Sequence, residues 1–591
     1  MPSGHVTIPS IVRSKLPFLF LGIITVVIAI ATLIPNGQAI YGSLWFKLLW
    51  GAIVVSGCYL MYRRKMWKRP IIFTMHMSFL LMLLGGLTTS LTSKRGILHL
   101  RQGIPTDYYM NQERKEMDQL PCLVRLNSFR IAYYPGTQAP QDYISSITAE
   151  GQSYTISMNK IARLHGYRLY QTSYDEDMQG TLLTVNYDPW GTSLVYAGYL
   201  LFLLSFLTYL WKPALKWSKL LTLVFLFMGG GAKAENLPVV PREKADSIER
   251  LQVIWNERPC PVGTMAQDFL QKIYGRSRYH GLTATQVVTS WTLAPRAWNS
   301  VPIIKQKGKG YRKMDDFIDY NASLPQLKGM GEDAATDEKV ALILMLQQGT
   351  LMQVLPPEIK PLSEARVSTE LMYNRIPWTI IGVLGCLLVL IVSLTRFSTS
   401  DVVLRAIVAL FLLTHFALRW YLGGHIPLAN TYETLHFTAL CLLPFMPLGS
   451  AVTLFVAWLV ERNPQITPLM PVLHSPWLSA HVAIVMLSYA LLAASFFRRH
   501  LLRYAVSLLA IGIFLGSVWA NVSWGAYWTW DPKESWALIT LLVYSIPLHS
   551  QSLPWFQSER NYRIYSLLAL ASLLMTYFGV NYLLGGMHAY G

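Results

Sequence analysis

Hydrophobic and polar positions along this chain fall into long blocks. Apolar runs occupy residues 16–34, 45–62, 71–92, 193–211, 219–232, 377–395, 402–421, 431–446, 448–461, 478–497, 501–520, 534–550 and 564–584. A helix that crosses a bilayer needs roughly 20 apolar residues, so most of these read as spans and three fall short of the length. The pattern predicts a polytopic α-helical membrane protein of about 12–13 apolar segments with soluble insertions. In residues 93–192 the period drops to two: GILHLRQG, CLVRLNSFRIAYY, SYTISM and YRLYQTSYD alternate and are separated by turn residues, which predicts a small β-rich domain. Residues 233–376 are mixed. Their KVALILMLQQGTLMQVL reads as an apolar-faced helix after the turn-rich KGMGEDAATDE. The expected organisation is membrane helices over 1–92, a β-rich domain over 93–192, helices over 193–232, an insertion over 233–376 and a membrane domain over 377–591.

Charge orients these blocks. YRRKMWKR (62–69), WKPALKWSK (211–219) and FRRHLLR (497–503) are the strong basic clusters beside apolar runs. All three share one side if every segment crosses, and that side is cytoplasmic by the positive-inside rule. Residues 93–192, 233–376, 422–430, 462–477, 521–533 and 585–591 are then exported. The run 219–234 ends in Ala232-Lys233-Ala234 and resembles an internal signal-peptide region. Parity favours a real crossing there. The net charge of +18 points to topology rather than nucleic acid, because the basic residues flank apolar segments. The five cysteines form no CxxC and no CxxCH, so the chain is neither a usual thiol oxidoreductase nor itself a c-type cytochrome. Cys122 and Cys260 both fall in predicted exported regions, though two cysteines this far apart more often stay single.

One polar loop stands out against this background. Residues 524–536 read WGAYWTWDPKESW: Trp524, Trp528, Trp530 and Trp536 with Gly525, Asp531, Pro532 and Glu534. Interface anchoring uses a few Trp and Tyr, and a dense aromatic belt is the bland alternative. Rigid flat rings in a row suit a large planar ligand. Asp531 sits where it would cap the next helix, with Pro532 and Glu534 in its first turn.

Among the histidines, His76 lies inside the third apolar run, roughly 9 Å from its cytoplasmic end, and an ionisable residue there is a functional candidate. His549 ends the run 534–550 on the same side. Together they offer one imidazole from each half of the chain at similar depth, a pair able to hold haem iron from opposite faces. His481, after LHSPWLSA, and His588, in GGMHAYG, fall on the exported side with the tryptophan loop. His474 competes with His481. His415, His425 and His436 read as packing or loop polarity.

The motif WGxxWxWDPxExW resembles the tryptophan-rich signature of the haem-handling protein family, which includes the CcsA/ResC proteins of cytochrome c maturation. PIIFTMHMSFLLMLLGGLTT (70–89) and HGYRLYQTSYDEDMQGTLLTVNYDPWGTSLVYAGY (165–199) resemble their CcsB/ResB partners. The order on one chain resembles fused CcsBA-type synthases. The resemblance covers about residues 14–211 and 376–591; residues 233–375 match nothing by motif. It implies a holocytochrome c synthase of a bacterial inner membrane with its active site facing the periplasm or exterior. Such an enzyme is a haem lyase that joins haem b through thioether bonds to the CxxCH of apocytochrome c. It implies haem, lipid and thiol-reducing proteins as partners. It further implies His76 and His549 as transmembrane ligands, and His481 and His588 as external ones at the site of attachment. The loop 521–536 would be the haem platform. Asn430, Tyr432 and Glu433 resemble the family's NxYE segment, where Glu433 has either a structural salt bridge or a role at haem. The alternatives from other classes are a haem exporter without ligase activity and a b-type electron-transfer protein.

Overall fold

The computed structural model describes residues 10–210 and 237–584, apart from 113, 320–325, 329, 330, 332, 396 and 397. The run 219–234 and His588 lie outside the described residues. Helices α1 (Ser10–Leu33), α2 (Leu44–Arg63) and α3 (Pro70–Thr92) come first. Pro70 opens α3 at a first-turn position, where its missing N–H costs nothing.

The chain then forms eight strands: β1 (Lys94–Arg101), β2 (Pro105–Asn111), β3 (Met117–Tyr133), β4 (Pro140–Ala149), β5 (Gln152–Ile156), β6 (Ala162–Leu164), β7 (Tyr167–Tyr174) and β8 (Gly180–Tyr187). They make one antiparallel sheet in the order β5-β4-β3-β2-β1-β8-β7-β6. Alternation sets its core: Leu120, Cys122, Val124 and Leu126 of β3 are buried, while Leu123 between them is exposed. Strands β1 and β8 pair from Lys94↔Tyr187 to Arg101↔Gly180. The sheet is thereby inserted between α3 and α4 (Gly191–Leu210), which lie side by side. Small residues permit that approach: a Cβ on Gly85 would sit 2.6 Å from Val195 Cγ2. The buried Asp188 carboxylate caps α4, accepting from Gly191 N (2.9 Å) and Thr192 N (3.0 Å).

Residues 237–363 build a separate core in which Phe269, Trp291 and Trp298 are fully buried. Strands β9 (Gln252–Trp255) and β10 (Arg258–Pro261) form a hairpin that leads into α5 (Val262–Tyr274). Ala334–Gln347 is helical. Cys122 and Cys260 do not pair; all five cysteines are free. Cys260 is fully buried in this second core, and burial pushes its thiol up to about 12.

Helices α6 (Glu364–Arg375) and α7 (Trp378–Leu394) meet at a 56° bend. Then follow α8 (Ser398–Gly423), α9 (Thr431–Leu442), α10 (Pro447–Val460), α11 (Pro476–Ser495), α12 (Leu502–Ser523), α13 (Pro532–Ser545) and α14 (Glu559–Leu574). Eight helices among the described residues are long and apolar enough to cross a bilayer, or nine if the bent pair is one span. The protein is a polytopic membrane protein with a β-rich soluble region. Runs 431–446, 448–461 and 534–550 resolve into helices shorter than a full span, α13 ending in a 3-10 turn at Ile546–His549.

Both soluble parts lie over the same helix ends. Tyr134 Oη donates to Leu469 O (2.9 Å) and Asn159 Nδ2 to Pro471 O (3.2 Å). From the other part, Arg258 Nε donates to Ile466 O (2.7 Å) and Asn463 Nδ2 donates to the buried Asp268 (2.6 Å). This face is called the sheet side below, and the opposite one the far side.

Candidate functional site: a tryptophan loop and a histidine pair

The tryptophan loop joins α12 to α13 on the sheet side. Its shape is set locally by a capping box: Asp531 Oδ1 accepts from Lys533 N (2.9 Å), and Glu534 Oε2 reaches back to Asp531 N (3.3 Å). Glu534 Oε2 also accepts from Thr529 N (2.7 Å), which closes the loop on itself. Trp530 sits at φ 58°, a left-handed conformation rare for a bulky residue. Gly525 (φ 82°) has Tyr170 against it, and a Cβ there would lie 2.5 Å from that ring.

Long-range contacts then fix the loop from three directions. From the sheet, Asn186 Nδ2 donates to Gly525 O, and Arg168 Nη1 donates to Asn521 Oδ1 (3.0 Å). From α3, Thr89 Oγ1 accepts from Tyr527 Oη (2.9 Å) and donates to Asp188 Oδ2 (2.8 Å). From α1 and the short Ala39–Gly42 turn after it, Tyr41 stacks on Trp530 with centroids 4.4 Å apart and planes 11° off parallel, and Trp536 Nε1 donates to Thr32 Oγ1 (3.0 Å). Trp528 meets Trp530 edge-on at 5.6 Å, and Trp524 meets Trp519 at 4.6 Å. The four tryptophans are therefore not one flat stack: Trp528 and Trp530 form a corner, Trp524 lies by α12, and Trp536 faces α1. Trp528 Nε1 and Tyr170 Oη are buried without an acceptor or donor partner among the described residues. Burial pushes the Tyr170 phenol up to about 12.

His76 on α3 and His549 after α13 come together at the far side. Their ring centroids are 6.0 Å apart with planes at 85°. His76 Nδ1 bonds Ile72 O (2.8 Å) and His549 Nδ1 bonds Ser545 O (3.0 Å). With the Nδ1 proton on each carbonyl, the lone pair stays on Nε2, the orientation second-shell bonds give to metal-binding imidazoles. Two imidazole nitrogens about 2 Å from one metal on opposite sides put the ring centres about 6 Å apart, the separation found here. Phe18 of α1 packs edge-on to His549 at 5.2 Å.

His481 lies within the first two turns of α11. Its Nδ1 is 2.7 Å from Gly512 O, and its ring occupies the space a Cβ on Gly516 would need. His474 is elsewhere, held 2.5 Å from Tyr134 Oη. Of the supports, Thr89, Tyr170 and Asn186 lie in the two stretches that resemble the CcsB/ResB partners, whereas Thr32 and Tyr41 lie in no motif; nothing in the sequence marks any of the five as a contact of the loop. His415 and His436 are buried together (4.6 Å) beside Tyr373 and Tyr432. Glu433 is 3% exposed and Arg419 2%, paired at 2.7 Å.

Two family models match. Residues 57–195 match the ResB-like family and residues 497–588 the cytochrome C assembly protein family. Protein NrfI of Wolinella succinogenes is 28% identical over an alignment covering 80% of this chain and 71% of its own length. The cytochrome c biogenesis protein CcsA of Chlamydomonas reinhardtii is 34% identical, over 29% of this chain and 63% of its own length. That of Synechococcus sp. (strain CC9902) is 31% identical, over 32% of this chain and 85% of its own length. With α13 and the tryptophan loop inside the second match, and α3, the sheet and the start of α4 inside the first, the chain belongs to the cytochrome c biogenesis family and carries a ResB-like and a CcsA-like part on one polypeptide.

Proposed function

We propose that this protein is a cytochrome c haem lyase that also carries haem b outward across a bacterial inner membrane. Haem is the cargo and substrate. It enters at the far side, taken as cytoplasmic, between His76 and His549. It is then held on the sheet side, taken as periplasmic, against the tryptophan loop with His481 and His588 as axial ligands. The observation that carries this reading is the imidazole pair with centroids 6.0 Å apart and both Nδ1 atoms engaged by carbonyls. Two further features support it. The buried, unpartnered Trp528 Nε1 offers a donor beside the loop. The two sites also share helices: α3 carries His76 and, about 20 Å further along, Thr89, and α13 runs from the loop to His549.

In the reaction, each thiol of the apocytochrome CxxCH adds across a haem vinyl group. The sulfur bonds one vinyl carbon, the proton goes to the other, and no electrons leave. The protein's contribution is to hold vinyl carbon beside thiol, which makes the step effectively intramolecular. The thiols arrive reduced, supplied by a thiol-reducing partner.

The test is co-expression with a CxxCH-bearing apocytochrome in a host lacking its own maturation system. The wild-type chain makes covalent cytochrome. His76→Ala with His549→Ala lowers haem in the purified protein at both sites. His481→Ala shifts the spectrum of bound haem, and added imidazole restores part of the yield. Normal haem content in the His76/His549 double variant rejects the route, and normal maturation by His481→Ala and His588→Ala rejects the external ligands.

A further inference from the structure

Beside the tryptophan loop lies a cavity of about 430 Å³, bounded by the elbow between α1 and α2 on one side and by Trp530 and Pro532 on the other. Its polar lining is Thr32, Asn36 and Gln38, and Tyr41 shares its wall. The volume falls in the range of about 300–1,000 Å³ found for ligand sites. It is joined from both halves of the chain, and Trp530, at a left-handed φ of 58°, lies at its edge.

The lining chemistry narrows the ligand. None of the lining residues is His, Cys or Met, and Tyr41, the one lining side chain that could ligate iron through oxygen, turns its hydroxyl to Ile28 O (3.4 Å) with its ring stacked on Trp530. None is Lys or Arg, so nothing there neutralises haem propionates. The carboxamides of Asn36 and Gln38 each donate and accept, the complement of peptide N–H and C=O groups, while the Thr32 hydroxyl, donating to Ala29 O (2.7 Å) and accepting from Trp536 Nε1 (3.0 Å), offers only its second lone pair. Aromatic and proline surfaces beside them suit small apolar side chains. Asn36, Gln38 and Ala39 are exposed, so the elbow is open to a chain arriving from the sheet side.

We propose that this cavity is the docking site for the CxxCH-bearing segment of apocytochrome c, held as a short neutral peptide beside the loop. The assignment rests on the lyase reading and adds where the second substrate lies. The elbow in the N-terminal half then presents the thiols, while the tryptophan loop of the CcsA-like part presents the haem.

The experiment uses the full chain in lipid nanodiscs with a labelled CxxCH peptide of about a dozen residues. With Gln38 replaced by the photo-crosslinker p-benzoylphenylalanine, irradiation links the peptide, and unlabelled peptide competes. The same crosslinker at Tyr108, exposed on β2, gives no such product. In a second arm, Ala39→Trp fills the cavity from its exposed rim. It raises KM for the peptide about tenfold, leaves kcat within about twofold, and leaves haem stoichiometry and spectrum unchanged. No competed crosslink at position 38 overturns the proposal. So does an unchanged KM in a haem-loaded Ala39→Trp protein. Haem loss in Ala39→Trp assigns the cavity to haem and overturns it as well. A competed crosslink without thioether formation by the wild type rejects the lyase reading and leaves the peptide site standing.

Discussion

Glu433→Ala tests what the carboxylate in the NxYE-like segment does. In the structure Glu433 Oε1 accepts from Arg419 Nε at 2.7 Å, and Oε2 accepts from Ala429 N at 2.8 Å. Arg419 spends its remaining donors on Pro464 O (3.2 Å), Gln465 O (2.6 Å) and Tyr373 Oη (3.3 Å). One guanidinium therefore ties α8, α9, the end of α6 and the loop before α11. Both charges are almost wholly buried, so solvent screening does not discount the pair. Removing one partner strands the other and costs about 3–5 kcal/mol; three surviving acceptors for Arg419 place the loss near the lower end. Unfolding in mixed detergent micelles, followed by tryptophan fluorescence, measures it. Replacing both charges, Arg419→Met with Glu433→Leu, loses less than the single variant, because no naked charge remains. A Glu433→Ala protein destabilised by less than about 1 kcal/mol but poor in haem refutes the structural account and puts the carboxylate at the ligand.

Three further outcomes are expected. Asp531→Ala loses about 1 kcal/mol and part of its haem while Asp531→Asn keeps most of both, since Asn is an equal cap; equal, severe haem loss in both shows that the charge is needed. Thr89→Val breaks the hydrogen bonds from Tyr527 and to Asp188, and it lowers haem retained at the loop more than Thr89→Ser does, as haem stoichiometry reports. In the sheet, hydrogen bonds from His99 and then Arg101 hold the Asp175 carboxyl below its ordinary value. This link therefore stabilises the fold above the ordinary Asp value of about 3.9 and is lost as pH falls below it. Hydrogen exchange of β1 and β8 accelerates there in the wild type, and Asp175→Asn removes that dependence.

Much of the fold was legible because hydropathy and period are local properties. Alternation in GILHLRQG and YRLYQTSYD marks strands the structure contains, and the basic clusters sort helix ends without any contact being known. His76 and His549 were legible as a pair because His76 follows the basic cluster 62–69 and counting crossings puts the end of 534–550 on the same side. The capping box at Asp531 was legible because it spans only four residues. Partnerships across the chain were not. Nothing around Tyr41 shows that it stacks on Trp530, and the Thr89 hydroxyl looks like any other in an apolar helix. The tryptophan run suggested one platform, but α13 begins at Pro532 and turns Trp536 toward Thr32, so its members separate. His415 and His436 looked like packing and are packed, yet the Arg419–Glu433 pair beside them needed α9 packed against α8 to appear.

The loop's supports also set a timetable. Thr32, Tyr41, Thr89, Tyr170 and Asn186 are all translated before the loop they hold, and Asn186 precedes Gly525 by 339 residues. At about 5–20 residues per second, the ribosome needs on the order of tens of seconds to cover that interval. During it the residues that hold the loop have been made and the loop itself has not. The tryptophan loop is thus among the last parts of the molecule to find its contacts. A nascent chain halted anywhere in the second soluble part would carry the far-side His76 without His549, so the imidazole pair exists only in a chain whose last helices have been made.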